Sequence, residues 1–507
     1  MNIYKKLYFM LMSFVAPSIV FGADAGIDQT IDSFFSTYFG WFVNLIFFSV
    51  EVTDGANFPL IVLWLFVAAI IFTFYFGFVQ FKQFRLSLDI VSGKYSNPDK
   101  SKEHGEISHF QALSTALSGT VGLGNIAGVG VALAIGGPGA TFWMVLVGIL
   151  GMASKFTECT LGVKYRNEYV DENGEHKVSG GPMYYLSKGL AELGKPGLGK
   201  FLAIAFSVMT ILGAFGAGNM FQGNQANAII VQTFGLPSGY GWLTGLVLAI
   251  FVGFVIVGGI KSIAKVTEKL VPFMAIMYII MSLIVLIGHA DKIGDAFSLI
   301  INGAFTGEGV AGGFIGALIQ GLKRATFSNE AGIGSAAIAH SAVKTNEPVT
   351  EGLVSLLEPL IDTVIICTMT ALVITVSGLN TGELSGVELT AAAFSQTSGI
   401  FQYALTIAVV LFAVSTMISW SYYGLKAWTY LFGEGRTREL TYKLIFCLFI
   451  IVGASISFGS VIDFSDAAIF SMSIFNIIGL YFLMPIVKRE LKSFVERVKS
   501  GEIVKYK

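Results

Sequence analysis

The 507-residue sequence predicts an all-α, polytopic membrane protein: one helix, then two sets of five that enter the membrane from opposite faces, about eleven spans in all. Three observations predict this class. Hydrophobic residues make up 54% of the chain and charged residues only 13%, about half the soluble average of roughly 25%. Basic residues gather in alternate loops. Two apolar segments, one at the head of each set of five, are interrupted by glycines or charges.

The first residues, 1–23, carry Lys5 and Lys6, an apolar run, and small residues at Gly22 and Ala23. That is the layout of a secretory signal peptide cleaved near 22–23, with a retained anchor as the alternative. Residues 24–57, with Trp41, Phe47 and Phe48, read as a periplasmic or interfacial segment. Crossing about 30 Å of hydrocarbon takes about 20 apolar residues. Runs of that kind lie near 58–80, the extra helix; then 109–136, 139–162, 201–223, 239–260 and 270–289, the first five-helix repeat within 109–289. The second repeat, 312–487, holds 312–340, 350–377, 398–430, 440–458 and 464–487, and leaves 488–507 as a tail.

Orientation follows the positive charges. The loop after the extra helix holds Lys82, Arg85, Lys94, Lys100 and Lys102; the 163–200 loop holds six more basic residues, the 261–269 loop three, and the tail seven. The alternate loops 24–57, 224–238, 290–311, 378–397 and 459–463 contain only Lys292. This asymmetry places the mature N-terminus outside and the C-terminus in the cytoplasm. Five is odd, so the second set starts from the opposite face.

The abnormal segments are SGTVGLGNIAGVG, from residue 118, and GALIQGLKRATFSNEAGIGSA, 316–336. Irregular backbone at membrane depth is tolerated where it lines a cavity or is buried in protein. Paired interruptions in two inverted halves point to a transporter binding site at the midplane. Freed carbonyls suit Na⁺, and freed N–H groups at a half-helix N-terminus suit a carboxylate. Gly119, Gly122 and Gly124 let the first segment open, and Asn125 offers a side-chain carbonyl. Pro138 ends that helix, while Gly128, Gly130 and Ala134 read as close-packing positions.

Ionisable groups at membrane depth are expensive and are functional candidates by default. Lys323 and Arg324 are expected to pair with Glu330 or Glu358, with Asp362 joining; Lys155 and Glu158 are expected to snorkel or pair at the cytoplasmic end. Other chemistries find little support. GKPGLGKF, 194–201, imitates a phosphate loop but has Phe201 where Ser or Thr should hold Mg²⁺. Without an ATP site, an ion gradient is the expected energy source. Cys159, Cys367 and Cys447 form no CxxC pair, and His104, His109, His176, His289 and His340 form no HExxH motif. An enzyme is therefore not expected.

GTVGLGNIAGV, GGPGATFWM (136–144) and TFSNEAGIGSAAIAH (326–340) together resemble the alanine/glycine:cation symporter family, over roughly residues 58–490. The resemblance implies a LeuT-type fold with one added N-terminal helix. It also implies uptake of small neutral amino acids, alanine or glycine first, driven by Na⁺ or alternatively H⁺, by alternating access. By the same resemblance Ser118, Val121, Phe412, Ser415 and Thr416 surround Na⁺. Thr120, Gly122, Gly124, Asn125, Gln222, Phe327, Ser328, Asn329, Thr416 and Trp420 surround the substrate, with Trp420 walling the pocket and Phe327 capping it. Na⁺ is the expected coupling ion, with no organic cofactor. The expected partners are the amino acid and membrane lipid, with no nucleic acid and no ATPase subunit, in a bacterial-type inner membrane.

Overall fold

The computed structural model describes residues 27–506 apart from 54–55, 97–104, 171–173, 175, 238, 307–312 and 380–383. The expected signal peptide lies outside the described residues.

The described chain is almost wholly helical, with two short hairpins, Ser49–Thr53 with Ala56–Pro59 and Asn167–Val170 with His176–Ser179. Among the described residues six helices are long and apolar enough to cross a bilayer, among them Ala140–Lys164, Gly259–Gly288 and Ile400–Phe432. A seventh candidate is the pair His109–Thr120 and Gly124–Gly136, bent by 49° at its break. Leu60–Tyr75 and Gly241–Ile256 are apolar but shorter.

Polarity is distributed as a bilayer demands. Large apolar side chains point outward on the peripheral helices: Phe254 is 80% exposed, and Phe251 and Ile287 are also exposed. The interior instead holds Lys155, Arg324, Glu158, Glu330, Glu351, Glu358, Asp362 and Asp466, all buried. Charged groups in hydrocarbon survive only when turned inward and partnered.

Local chemistry sets the ends of the helices. Ser108 caps the first broken helix: its hydroxyl accepts from the Gln111 N–H, while the Gln111 side chain accepts from the Ser108 N–H. Pro182, Pro196 and Pro348 open their helices, where a missing N–H costs nothing. At the 136–139 turn the chain stops being helical at Gly136, and Gly137 takes φ +62°.

Several boundaries differ from the sequence reading: the expected loops 290–311 and 378–397 hold the helices Ile293–Thr306 and Gly386–Ser395, and the expected span 201–223 runs on to Phe234. The expected 261–269 loop is helix, the first turns of Gly259–Gly288, so Lys261, Lys265 and Lys269 extend from a helix end. The last helix runs Phe458–Ser500, through most of the expected tail. Basic residues mark a membrane face equally well from a protruding helix as from a loop.

Candidate functional site

Both expected interruptions are present. The first helix stops at Thr120, and Val121 (φ −73°, ψ 80°) leaves the helical region. The ladder is replaced by side chains. Gly122 N–H donates to Asn125 Oδ1 at 2.9 Å, and Leu123 N–H donates to Gln222 Oε1 at 3.1 Å. The second helix, Gly313–Asn329, ends where Glu330 takes φ +57°, a left-handed conformation uncommon for a residue with a Cβ. The Ala331 N–H then donates to Asn329 Oδ1 at 3.0 Å, and helix resumes at Ala336.

A hollow of about 10 Å³ lies between the breaks, room for about one water. Of the residues expected around a substrate, Thr120, Gly124, Gln222, Phe327, Thr416 and Trp420 line it. Gly119, Ala217, Glu330 and Ile469 line it too. Trp420 Nε1 donates to Glu330 Oε1 at 3.0 Å, and Ser335 donates to the other oxygen of that carboxylate. Trp420 sits against Gly218, where an added Cβ would come within 2.3 Å of the Trp420 Cβ and Cγ.

Gly122, Asn125, Ser328 and Asn329 lie outside that lining; Asn125 and Ser328 meet a different group, Asp362. Asn125 Nδ2 donates to Asp362 Oδ1 at 2.6 Å, and Ser328 Oγ donates to Asp362 Oδ2 at 2.8 Å. Thr363 Oγ1 also donates to Asp362, at 2.7 Å, and accepts from Asn329 Nδ2 at 3.0 Å. One buried carboxylate thus ties the first break to the second.

The residues expected around an ion meet at the junction of the first break with the Ile400–Phe432 helix. Ser118 Oγ donates to the Ser415 carbonyl at 2.7 Å, and Ser415 Oγ donates to the Phe412 carbonyl at 2.9 Å. Val121 is fully buried beside them. Among the described residues Thr416 Oγ1 is buried without a hydrogen-bond partner, and a Cβ on Gly122 would fall 2.2 Å from it. Glycine is therefore needed at 122 for the hydroxyl to reach the opened backbone. Such a dry, oxygen-rich junction is the kind of place where broken transport helices hold Na⁺.

The ion pairs correct the sequence reading. Lys323 Nζ lies 2.8 Å from Asp466 Oδ2, and Arg324 pairs with the same carboxylate, not with Glu330, Glu358 or Asp362. Arg324 also lies over the Phe327 ring, 5.4 Å from its centroid. Lys155 does not snorkel: it is fully buried, 3.2 Å from Glu358. Glu158 accepts from Asn476 at 2.8 Å. Asp466 and Asn476 come from the last long helix, and sequence spacing offers no signal for such distant pairings.

The model of the sodium:alanine symporter family matches residues 45–507. The chain belongs to that family. It is 43% identical over 447 residues to the sodium/alanine symporter AgcS of Methanococcus maripaludis, covering 87% of this chain and 95% of that one. It is 34% identical over 443 residues to a probable sodium/glutamine symporter, GlnT, of Bacillus subtilis, covering 86% and 89% of the two chains. Among solved structures it resembles MhsT, crystallised with L-phenylalanine, with a TM-score of 0.53 and 16% identity over 77% of this chain and 99% of that one. That likeness concerns the fold, which is LeuT-type. This member of the symporter family is a multi-pass membrane protein.

Proposed function

We propose that this symporter takes up small neutral amino acids, alanine or glycine first, coupled to inward movement of Na⁺, with H⁺ as the alternative coupling ion. The observation that carries the reading is the unpartnered Thr416 hydroxyl, buried against the opened backbone at Gly122. A buried hydroxyl without a partner costs about 1–3 kcal/mol, a cost that a cation at that place removes. Ser118, Val121, Phe412 and Ser415 supply the other oxygens in this reading.

The substrate sits where Gln222, Thr120, Phe327 and Trp420 converge, with Gly122, Gly124, Asn125, Ser328 and Asn329 shaping the breaks around it. Its ammonium faces the Glu330 end, and its carboxylate takes the N–H groups now held by Asn125 and Gln222. Among the described residues, the hydrogen bonds to Glu330 and Asp362 come from neutral groups, which favours a cationic guest. A space of about 10 Å³ holds about one water, so admission of even the smallest amino acid requires the Gln222 amide to swing away.

In this reading eleven spans form an extra helix and two inverted sets of five. The N-terminus lies outside after signal cleavage, and the C-terminus lies in the cytoplasm of a bacterial-type inner membrane. The Lys323–Arg324–Asp466 cluster closes the outer side, with Arg324 resting on Phe327. Rocking of the core opens one side at a time.

Uptake of labelled alanine into proteoliposomes, with and without an inward Na⁺ gradient, tests the proposal. Faster uptake with the gradient supports it. Equal rates remove sodium coupling, and uptake of labelled glutamine but not of labelled alanine moves the substrate to the larger amide.

A further inference from the structure

A row of titratable groups runs through the interior and belongs neither to the hollow nor to the ion junction. His109 Nδ1 contacts Glu351 Oε1. Glu351 Oε2 lies 2.5 Å from His340 Nδ1, and His340 Nε2 lies 2.7 Å from Glu358 Oε1. Glu358 Oε2 lies 3.2 Å from Lys155 Nζ. His340, Glu351, Glu358 and Lys155 are fully buried, and His109 is 7% exposed.

The chemistry of these contacts requires a shared proton. A neutral imidazole has one N–H and one lone pair. His340 has a carboxylate oxygen against each nitrogen, so a neutral ring would set a lone pair against one of them. Both contacts are satisfied when His340 is an imidazolium, or when one carboxyl holds the proton. His109 needs no extra charge, since its Nδ1–H tautomer serves Glu351. With His340 protonated, His340 and Lys155 balance Glu351 and Glu358, and the row is neutral. Removing the proton leaves a net negative charge in a dry interior, which is costly unless another cation stands nearby.

That other cation has a place to stand. Lys155 lies within the electrostatic reach of Glu330, which lines the hollow, and of Glu158. The other groups facing the row are Cys159 beside Glu358, Arg166 toward Glu351, Tyr423 toward Glu330 and Glu358, and Asp362 within reach of Lys155. Cys159, His340 and Glu358 offer ligand atoms within 4.8 Å of one another. Both His340 nitrogens are already taken and the Lys155 ammonium faces Glu358, so the place suits a proton and not a metal.

We infer that Glu351, His340 and Glu358 form a proton-binding site, reached from solution through His109 and linked through Lys155 and Glu330 to cation occupancy of the hollow, which the Thr416 hydroxyl also lines. For that cation it rests on the proposed function. The proton enters at His109 Nε2 as the Nδ1 proton passes to Glu351, and from there reaches His340. It leaves by the reverse path when a cation settles in the hollow.

Infrared difference spectra of the purified full chain between about pH 5.5 and 8.5, a window bracketing the histidine range, test this. Wild type is expected to show paired carboxyl and imidazole bands whose midpoint moves to lower pH when Na⁺ is added. Glu351→Gln is expected to lose them. His109→Gln, at the end of the row nearest solvent and still able to donate to Glu351, is expected to keep the bands but slow their appearance after a pH jump. Identical difference spectra in wild type and Glu351→Gln, or a midpoint indifferent to Na⁺, overturn the inference. Should Glu351→Gln not fold, unchanged kinetics in His109→Gln overturn it instead. Labelled-alanine binding on the same samples separates the two readings. Bands that titrate and answer to Na⁺ without alanine binding leave the proton site standing and remove the substrate; binding without bands removes the proton site alone.

Discussion

Asn125 and Asp362 meet at 2.6 Å, side-chain amide to carboxylate, in the fully buried floor between the two broken helices. The same amide group, through Oδ1, accepts the N–H of Gly122. One side chain thus holds the first break open and fastens it to the second. Asn125→Ala leaves Asp362 Oδ1 short of a donor, while the Gly122 N–H keeps only its 2.8 Å bond to the Thr120 carbonyl. An orphaned buried group costs about 1–3 kcal/mol. The expected outcome is a clear fall in the thermal midpoint of the purified protein together with loss of alanine uptake, whereas a variant with wild-type midpoint and uptake contradicts this role.

The breaks themselves were legible in the sequence. Gly119, Gly122 and Gly124 beside Asn125 announce a helix that opens, and charges within 316–336 announce a second. What the glycines could not reveal is what fills the gaps. Gln222, expected at the substrate, lines the hollow, and its oxygen accepts the Leu123 N–H. Asp362, expected beside Lys323 or Arg324, gathers neutral donors from both breaks instead. An ionisable residue announces its cost from sequence alone, but the group that offsets it comes from whichever helix packs alongside. Asp466 is 142 residues from Arg324 along the chain.

Gly122 permits the approach of Thr416, since a Cβ there would stand 2.2 Å from Thr416 Oγ1 and 3.3 Å from Gln222 Oε1. Gly122→Ala is therefore expected to abolish sodium-dependent uptake while the protein still reaches the membrane. Gly235→Ala serves as a control of comparable size, because no described residue lies within 4 Å of its added Cβ; its φ of +62° predicts some loss of stability but retained transport. Uptake assays on both variants, normalised to protein in the membrane, check this.

Trp420 both walls the hollow and donates to Glu330 at 3.0 Å. Trp420→Phe keeps an aromatic wall but removes the donor, so Glu330 retains only the Ser335 bond among those described. Slower alanine uptake with weaker exclusion of larger amino acids is expected, read by competition with a panel of neutral amino acids. Unaltered rate and selectivity would argue that Trp420 only packs.

Asp466 is fully buried and holds both Lys323 and Arg324. Removing one partner of a buried pair typically costs about 3–5 kcal/mol, because the remaining charge is stranded. Asp466→Asn is expected to lower the thermal midpoint strongly, and Lys323→Ala less so, since that lysine is 18% exposed at its side chain. Thermal unfolding in detergent ranks the two variants, and equal small losses would contradict the cluster as a structural closure.

Equilibrium binding of labelled alanine to the purified protein, with and without Na⁺, for wild type beside Thr416→Val, tests most directly whether the two breaks grip an ion and a small zwitterion together. The expected result is a marked gain in alanine affinity on adding Na⁺ to wild type, and no such gain in Thr416→Val, which keeps the shape but lacks the hydroxyl. Alanine affinity that ignores Na⁺ in wild type, or a full sodium effect in the variant, would contradict the account.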